Sequence, residues 1–325
     1  MTVPDRFRAY LALARPEHWL RNVLMIPGSA LAYTYHPERL DRGSLGLVFW
    51  AFCAACLLAS ASYALNGLRD AASDAQHPVK CHRPLASGRL PVGHARVEWL
   101  VLTALGLGAS FLLGRMFFAT ALAWTGMALV YNVPPVRTKD LAYVDVLSES
   151  INNPLRLLAG WFAVSQAEIP PVSLLLAYWA AGAFFMAGKR LAELRMFGDP
   201  ARAAAYRRSF RRYSENGLLV SMFFHATAAA LFLGVFIIRY HLELILSVPL
   251  IAGFFAYYLH LTLLPNSLAQ SPERLYRQGG LIWYLVLCTA VFIGLLLVRI
   301  PVLYEWFNVA PSGVPPLWDL WRGTR

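Results

Sequence analysis

Asn66, Asp70 and Asp74 recur at intervals of four where a long apolar run gives way to a charged loop. Residues four apart share one face of a helix, so the three side chains form a single polar stripe if the helix continues past the apolar stretch. Two carboxylates and a carboxamide are hard oxygen donors, the kind Mg2+ takes together with waters and substrate phosphates. Asn66, Asp70 and Asp74 are therefore candidate Mg2+ ligands, with a solvated helix end as the plain alternative. The residues that follow favour the metal. "HPVKCHRPLASGR" brings His77, Lys80, His82, Arg83 and Arg89 within thirteen residues, and Pro78 and Pro84 stiffen it. Cations beside paired carboxylates suit a diphosphate, whose oxygens divide between metal and guanidinium or ammonium groups. A loop that only anchored to anionic headgroups would have no use for the aspartates.

Two further clusters have the same character. "YNVPPVRTKDLAYVDV" offers Tyr131, Arg137, Lys139, Asp140 and Asp145, and "GKRLAELRMFGD" offers Lys189, Arg190, Glu193, Arg195 and Asp199. Asp70, Asp74, Lys189 and Arg190 are the candidates for catalysis, holding metal or leaving-group charge. Asn66, Lys80, Arg83, Tyr131, Arg137, Lys139, Asp145, Arg156 and Glu193 are the candidates for substrate binding. Among them Arg137, Lys139 and Arg156 suit a second phosphate. A simple i,i+4 salt bridge is the plain alternative for Lys189 and Glu193. In "RAAAYRRSFRRYSENG", Arg207, Arg208, Arg211 and Arg212 read as an interfacial, headgroup-facing group.

The elements that must position these residues are membrane helices. The chain has 325 residues, 58% hydrophobic and only 14% charged, against about 25% charged in soluble domains. Apolar stretches near 20–36, 45–65, 97–114, 116–133, 143–164, 171–190, 217–238, 243–263 and 280–300 predict about nine spans. The fold class is an all-α polytopic bundle with a polar cavity on its cytoplasmic side. Residues 1–19 form a cytosolic lead-in, 20–300 the transmembrane domain and 301–325 a tail. On this topology 21 of the 29 Lys and Arg fall on one side, which places the N-terminus and the clusters inside and the C-terminus outside. That bias accounts for the net charge of +11 without nucleic acid. Cys53 and Cys56 lie in an apolar run and read as packing.

These residues resemble the UbiA superfamily of intramembrane prenyltransferases, and within it the decaprenyl-phosphate phosphoribosyltransferase branch. The branch pattern N-D-x-x-D-x-x-x-D-x-x-H-P-x-K-x-x-R-P is met by Asn66, Asp70, Asp74, His77, Pro78, Lys80, Arg83 and Pro84. "RPEHWLRN", "LRLLAG" and "GKRLAEL" resemble its other segments. The resemblance implies a nine-helix bundle in a bacterial plasma membrane. It also implies Mg2+, a diphosphate-activated donor such as phosphoribosyl diphosphate, and a polyprenyl phosphate acceptor, giving a lipid-linked phosphoribose used toward cell-envelope arabinose. The wider superfamily implies the alternative of prenyl transfer to an aromatic or other small acceptor. A lipid carrier or transporter without chemistry is the reading from another class, and self-association is left open. Gly67, in place of an aspartate, and Asn152-Asn153-Pro154 depart from the pattern.

Overall fold

The computed structural model describes residues 3–76, 80–264, 267, 279–310 and 317–319. His77, Arg274, Arg277, Arg322 and Arg325 lie outside the described residues. Helices occupy all nine predicted ranges. Six helical segments among the described residues are long and apolar enough to cross a bilayer unaided: Arg42–Asp74, Val92–Leu112, Val172–Phe197, Glu215–Tyr240, Leu242–Leu263 and Gly279–Leu297. The other three ranges are shorter or interrupted. The first is a 3-10 segment, Pro16–Met25, running into α2 (Ile26–Tyr35). The fourth is α5 (Arg115–Asn132), and the fifth breaks at Ile151 between α6 (Val144–Ser150) and α7 (Asn152–Phe162). The chain is an integral membrane protein.

Chain contacts divide it into two compact units, one of residues 1–166 and 199–213, the other of 167–198 and 214–325. In the first unit α3 (Arg42–Asp74) is the axis. Its 33 residues span about 50 Å, well beyond a hydrocarbon core of about 30 Å. The helix starts in a capping box, where the Asp41 carboxylate accepts from Ser44 N at 2.7 Å and the Ser44 hydroxyl accepts from Asp41 N at 3.3 Å. It ends at Asp74, so the predicted overrun exists and carries Asn66, Asp70 and Asp74 on its last turns. α1 (Val3–Ala14) packs Ala9 and Leu13 against Ala64 of α3 and Ala95 of α4 (Val92–Leu112).

α2 and α7 approach backbone to backbone. A Cβ on Gly28 would sit 2.1 Å from the Leu157 carbonyl oxygen, and one on Gly160 would sit 1.9 Å from that of Met25. Small residues permit such contact between membrane helices, and the Ser29 hydroxyl donates to Gly160 O across it at 2.8 Å. The second unit packs α8 (Val172–Phe197) against α10 (Glu215–Tyr240) and α11 (Val248–Leu263). Phe184, Phe185, Phe255 and Tyr258 form its aromatic core, with α12 (Gly279–Leu297) and the short α13 (Pro301–Trp306) following in the chain.

Candidate active site

The site lies in the first unit, around the end of α3. Asp70 Oδ1 accepts from Arg137 Nη2 at 3.1 Å and from the Lys139 ammonium. Lys139 Nζ also donates to Asn66 Oδ1 at 3.2 Å and to Asn132 Oδ1 at 3.1 Å. Three side-chain oxygens thus surround one cation. Burial pulls Lys139 down to about 8, against the opposing pull of Asp70. Asp74 is almost wholly buried and accepts from Arg83 Nη1 at 2.5 Å. The acid stripe therefore holds cations, Asp74 through the loop that directly follows α3 and Asp70 through a loop distant in sequence.

Arg137 itself adopts a left-handed backbone, φ 28°, which a side chain rarely takes. Such strain persists only where the surroundings over-determine it. Here its guanidinium is held by Asp70, and its Nε stands 3.1 Å from Asp140 Oδ2 without hydrogen-bond alignment.

A cavity of about 440 Å³ opens beside these groups, lined by Asp70, Ser73, Pro134, Pro135, Arg137, Lys139, Asp140, Ala205, Tyr206, Arg207 and Arg208. The last four come from the segment joining α8 to α10. It contains α9 (Pro200–Tyr206) and the 3-10 turn Arg208–Arg212, and by its contacts it belongs to the first unit. Tyr206 accepts from Lys80, whose Nζ stands 4.6 Å over the Tyr206 ring.

Arg207 is the residue the sequence reading missed. Its sequence context groups it with the headgroup-facing arginines, yet only 15% of its side chain is exposed. Its Nη2 donates to Tyr131 Oη at 2.9 Å and to Asp145 Oδ2 at 3.0 Å, and its Nε donates to the Lys139 carbonyl at 3.1 Å. Arg211 and Arg212 are exposed, as expected of headgroup contacts. Only the burial of its long-range partner Asp145 sets Arg207 apart.

Several other predicted site residues are absent from this lining. Asp145 is fully buried behind the cavity wall, with its second oxygen accepting from Tyr213. Arg156 on α7 donates to Asn22 Oδ1 at 3.0 Å and to the Asn152 carbonyl at 3.2 Å, with Trp124 at 5.0 Å. Lys189, Arg190 and Glu193 lie on α8 in the second unit. There Glu193 accepts from Arg190 Nη1 at 2.7 Å, an i,i+3 pair within the helix. Gly67 faces Leu13 and Leu85, not the cavity.

Among the described residues no three His, Cys, Asp or Glu side chains cluster as a metal site. The donor chemistry still fits a hard cation, because Asn66, Asp70 and Asn132 turn oxygens onto the Lys139 ammonium.

The profile described as the UbiA prenyltransferase family matches residues 23–285. The chain belongs to the UbiA prenyltransferase family. Relatives of this UbiA protein include the decaprenyl-phosphate phosphoribosyltransferase of Mycobacterium tuberculosis, 33% identical over 68% of this chain and 70% of that one. Nodulation protein NoeC of Azorhizobium caulinodans is 32% identical over 71% of this chain and 72% of its own. A UbiA homolog from Archaeoglobus fulgidus, solved with GPP and Mg2+, shares the fold at TM-score 0.65 and 19% identity, over 87% of this chain and 99% of that one. The protein is thus a membrane-embedded transferase of the UbiA type.

Proposed function

We propose that this UbiA transferase moves the phosphoribosyl group of phosphoribosyl diphosphate onto a polyprenyl phosphate, with Mg2+ as its metal. The lining of the cavity carries the reading. Arg137, Lys139, Arg207, Arg208, Asp70 and Asp140 line it, against the apolar Pro134, Pro135 and Ala205. A prenyl diphosphate is anionic at one end and apolar along the rest. Phosphoribosyl diphosphate is anionic at both ends of a hydroxylated sugar and suits a wall that is mostly charged and polar. Relatives named decaprenyl-phosphate phosphoribosyltransferase, at about a third identity, add support.

Asn66, Asp70 and Asp74 would hold the metal, which would neutralise diphosphate oxygens and make the diphosphate a better leaving group. Arg137 and Lys139 take the charge that builds on the diphosphate as the anomeric C–O bond breaks and its electron pair departs with the leaving oxygen. An oxygen of the acceptor phosphate forms the new bond to that carbon. A phosphomonoester is already anionic near neutral pH, so no base is needed to activate it. The cavity stands at the cytoplasmic mouth on this reading, where a soluble sugar phosphate reaches it and a lipid phosphate enters from the bilayer.

The test is a panel of donors and acceptors with purified protein and Mg2+, read by mass spectrometry. Consumption of phosphoribosyl diphosphate with labelling of a polyprenyl phosphate is the expected result. Turnover of prenyl diphosphates alone would replace this reading with prenyl transfer.

A further inference from the structure

We propose that Arg207 is a positioning residue: it pins the root of a strap, residues 199–213, that walls the cavity and whose α9 end moves when donor binds. The proposal rests on the diphosphate-donor reading above.

The strap has a sealed root. Asp145, with no exposed surface, accepts from Arg207 and from Tyr213, two strap residues on either side of the 3-10 turn. Tyr213 Oη in turn accepts from Tyr143 N at 2.9 Å, and the two rings meet edge to face at 5.0 Å. The same Arg207 guanidinium reaches Tyr131 at the end of α5 and the backbone carbonyl of Lys139. It therefore ties the strap to the two elements that present Tyr131 and Lys139. Lys139 in turn carries the ammonium held by Asp70 and Asn66. Moving Arg207 moves the backbone that aims Lys139.

The other end of the strap is differently made. α9 opens with an exposed Asp199 cap, and the side chain of Arg202 is 80% exposed. Its last residue, Tyr206, meets Lys80 through a neutral phenol and a ring face. A phosphate oxygen gives an ammonium a charge-assisted hydrogen bond, roughly twice as strong as one between neutral groups. A donor phosphate in the cavity thus competes with Tyr206 for Lys80 and shifts the α9 end, while the Asp145 pair keeps the root in place.

Amide hydrogen exchange on the full-length protein in detergent, with and without Mg2+ and inorganic diphosphate, reads both ends separately. In the unaltered protein, ligand is expected to change exchange in residues 199–206 and to leave 207–213 protected. Arg207→Gln is expected to speed exchange in 207–213 about tenfold. It is also expected to lower kcat with phosphoribosyl diphosphate about tenfold with KM within about threefold, since a misaimed Lys139 meets less of the charge that builds in the transition state. Arg207→Lys should recover part of both effects, and Arg211→Gln should change neither. Because Arg207→Gln strands a buried carboxylate, Tyr213→Phe serves as the milder variant; it removes one hydroxyl and should loosen the same segment by less. Unchanged exchange in 207–213 in folded Arg207→Gln or Tyr213→Phe overturns the proposal. So does a rise in KM with kcat unmoved. If the unaltered protein turns over no phosphoribosyl diphosphate, the functional reading fails, and the exchange results still decide the strap.

Discussion

Asp70 and Asp145 are aspartates of one unit, each bound by an arginine and a second donor. Asp70 keeps 17% of its side chain exposed, lines the cavity, and shares one oxygen between Arg137 and Lys139. Asp145 has no exposed surface, does not line the cavity, and spends one oxygen on Arg207 and the other on Tyr213. The chemical pair is nearly the same, and access makes the difference. Beside a cavity, a carboxylate–cation pair can exchange partners with a metal or a phosphate. Sealed from water, it can only hold geometry. A buried pair adds little net stability over apolar packing, but removing one partner strands the other charge in a low-dielectric site. Sequence alone shows neither property, because exposure is a product of packing.

Changing each carboxylate to its amide tests the contrast most directly. Asp70→Asn should lose about a hundred- to a thousandfold in turnover, the range for deleting one preorganised charge-stabilising group. Its thermal stability should move by no more than about 1 kcal/mol, as for a partly solvated pair. Asp145→Asn should instead lose about 3 kcal/mol of stability, the low end for breaking a buried pair because Arg207 keeps its other acceptors. Donor consumption and thermal unfolding of the same preparations in detergent measure both. Stability loss at Asp70 with turnover loss at Asp145 would reverse the assignment.

The legible part of the site was the part written locally. Asn66, Asp70 and Asp74 need only helical periodicity to share a face, and α3 does run on to Asp74. Lys139 and Arg137 were legible as cations near an acid stripe, though not as its direct partners, since the pairing spans more than sixty residues of chain. Arg207 was illegible for a clear reason. In a run of four arginines every member carries the same local signal, and only a partner 62 residues away in sequence selects one of them. The break at Ile151 was missed because span five, read by hydropathy, gave a single range where the backbone makes two helices.

Gly67→Asp extends the contrast to a position where the family pattern expects an acid. A Cβ there would stand 3.0 Å from Leu13 Cδ1 and 3.6 Å from Leu85 Cδ1. Both leucines belong to the apolar cluster that seats α1 on α3. The new carboxylate would enter that cluster, with no cation of the cavity at hand, and should cost about 2 kcal/mol. Mg2+ affinity, read by isothermal titration, should not improve. Tighter metal binding in Gly67→Asp would mean that position 67 turns toward the cavity and that the acid set there extends beyond Asp70 and Asp140.

The smallest expected effect belongs to Asp199→Ala. Asp199 caps α9, its carboxylate accepting from Ala201 N at 2.8 Å with about half the side chain exposed. Losing a cap of this kind costs about 1 kcal/mol, and here the loss falls on a helix of only seven residues. Fraying should speed amide exchange in residues 200–206 and weaken the hold of Tyr206 on Lys80. Residues 207–213 should stay as protected as before, because Asp145 fixes them from below through Arg207 and Tyr213 and neither contact involves α9. The melting temperature should hardly change. If 207–213 loosens together with α9, the strap unfolds as one cooperative piece. In that case the sealed carboxylate does not isolate the root from the tip, and the distinction between exchangeable and sealed pairs stops at the two aspartates themselves.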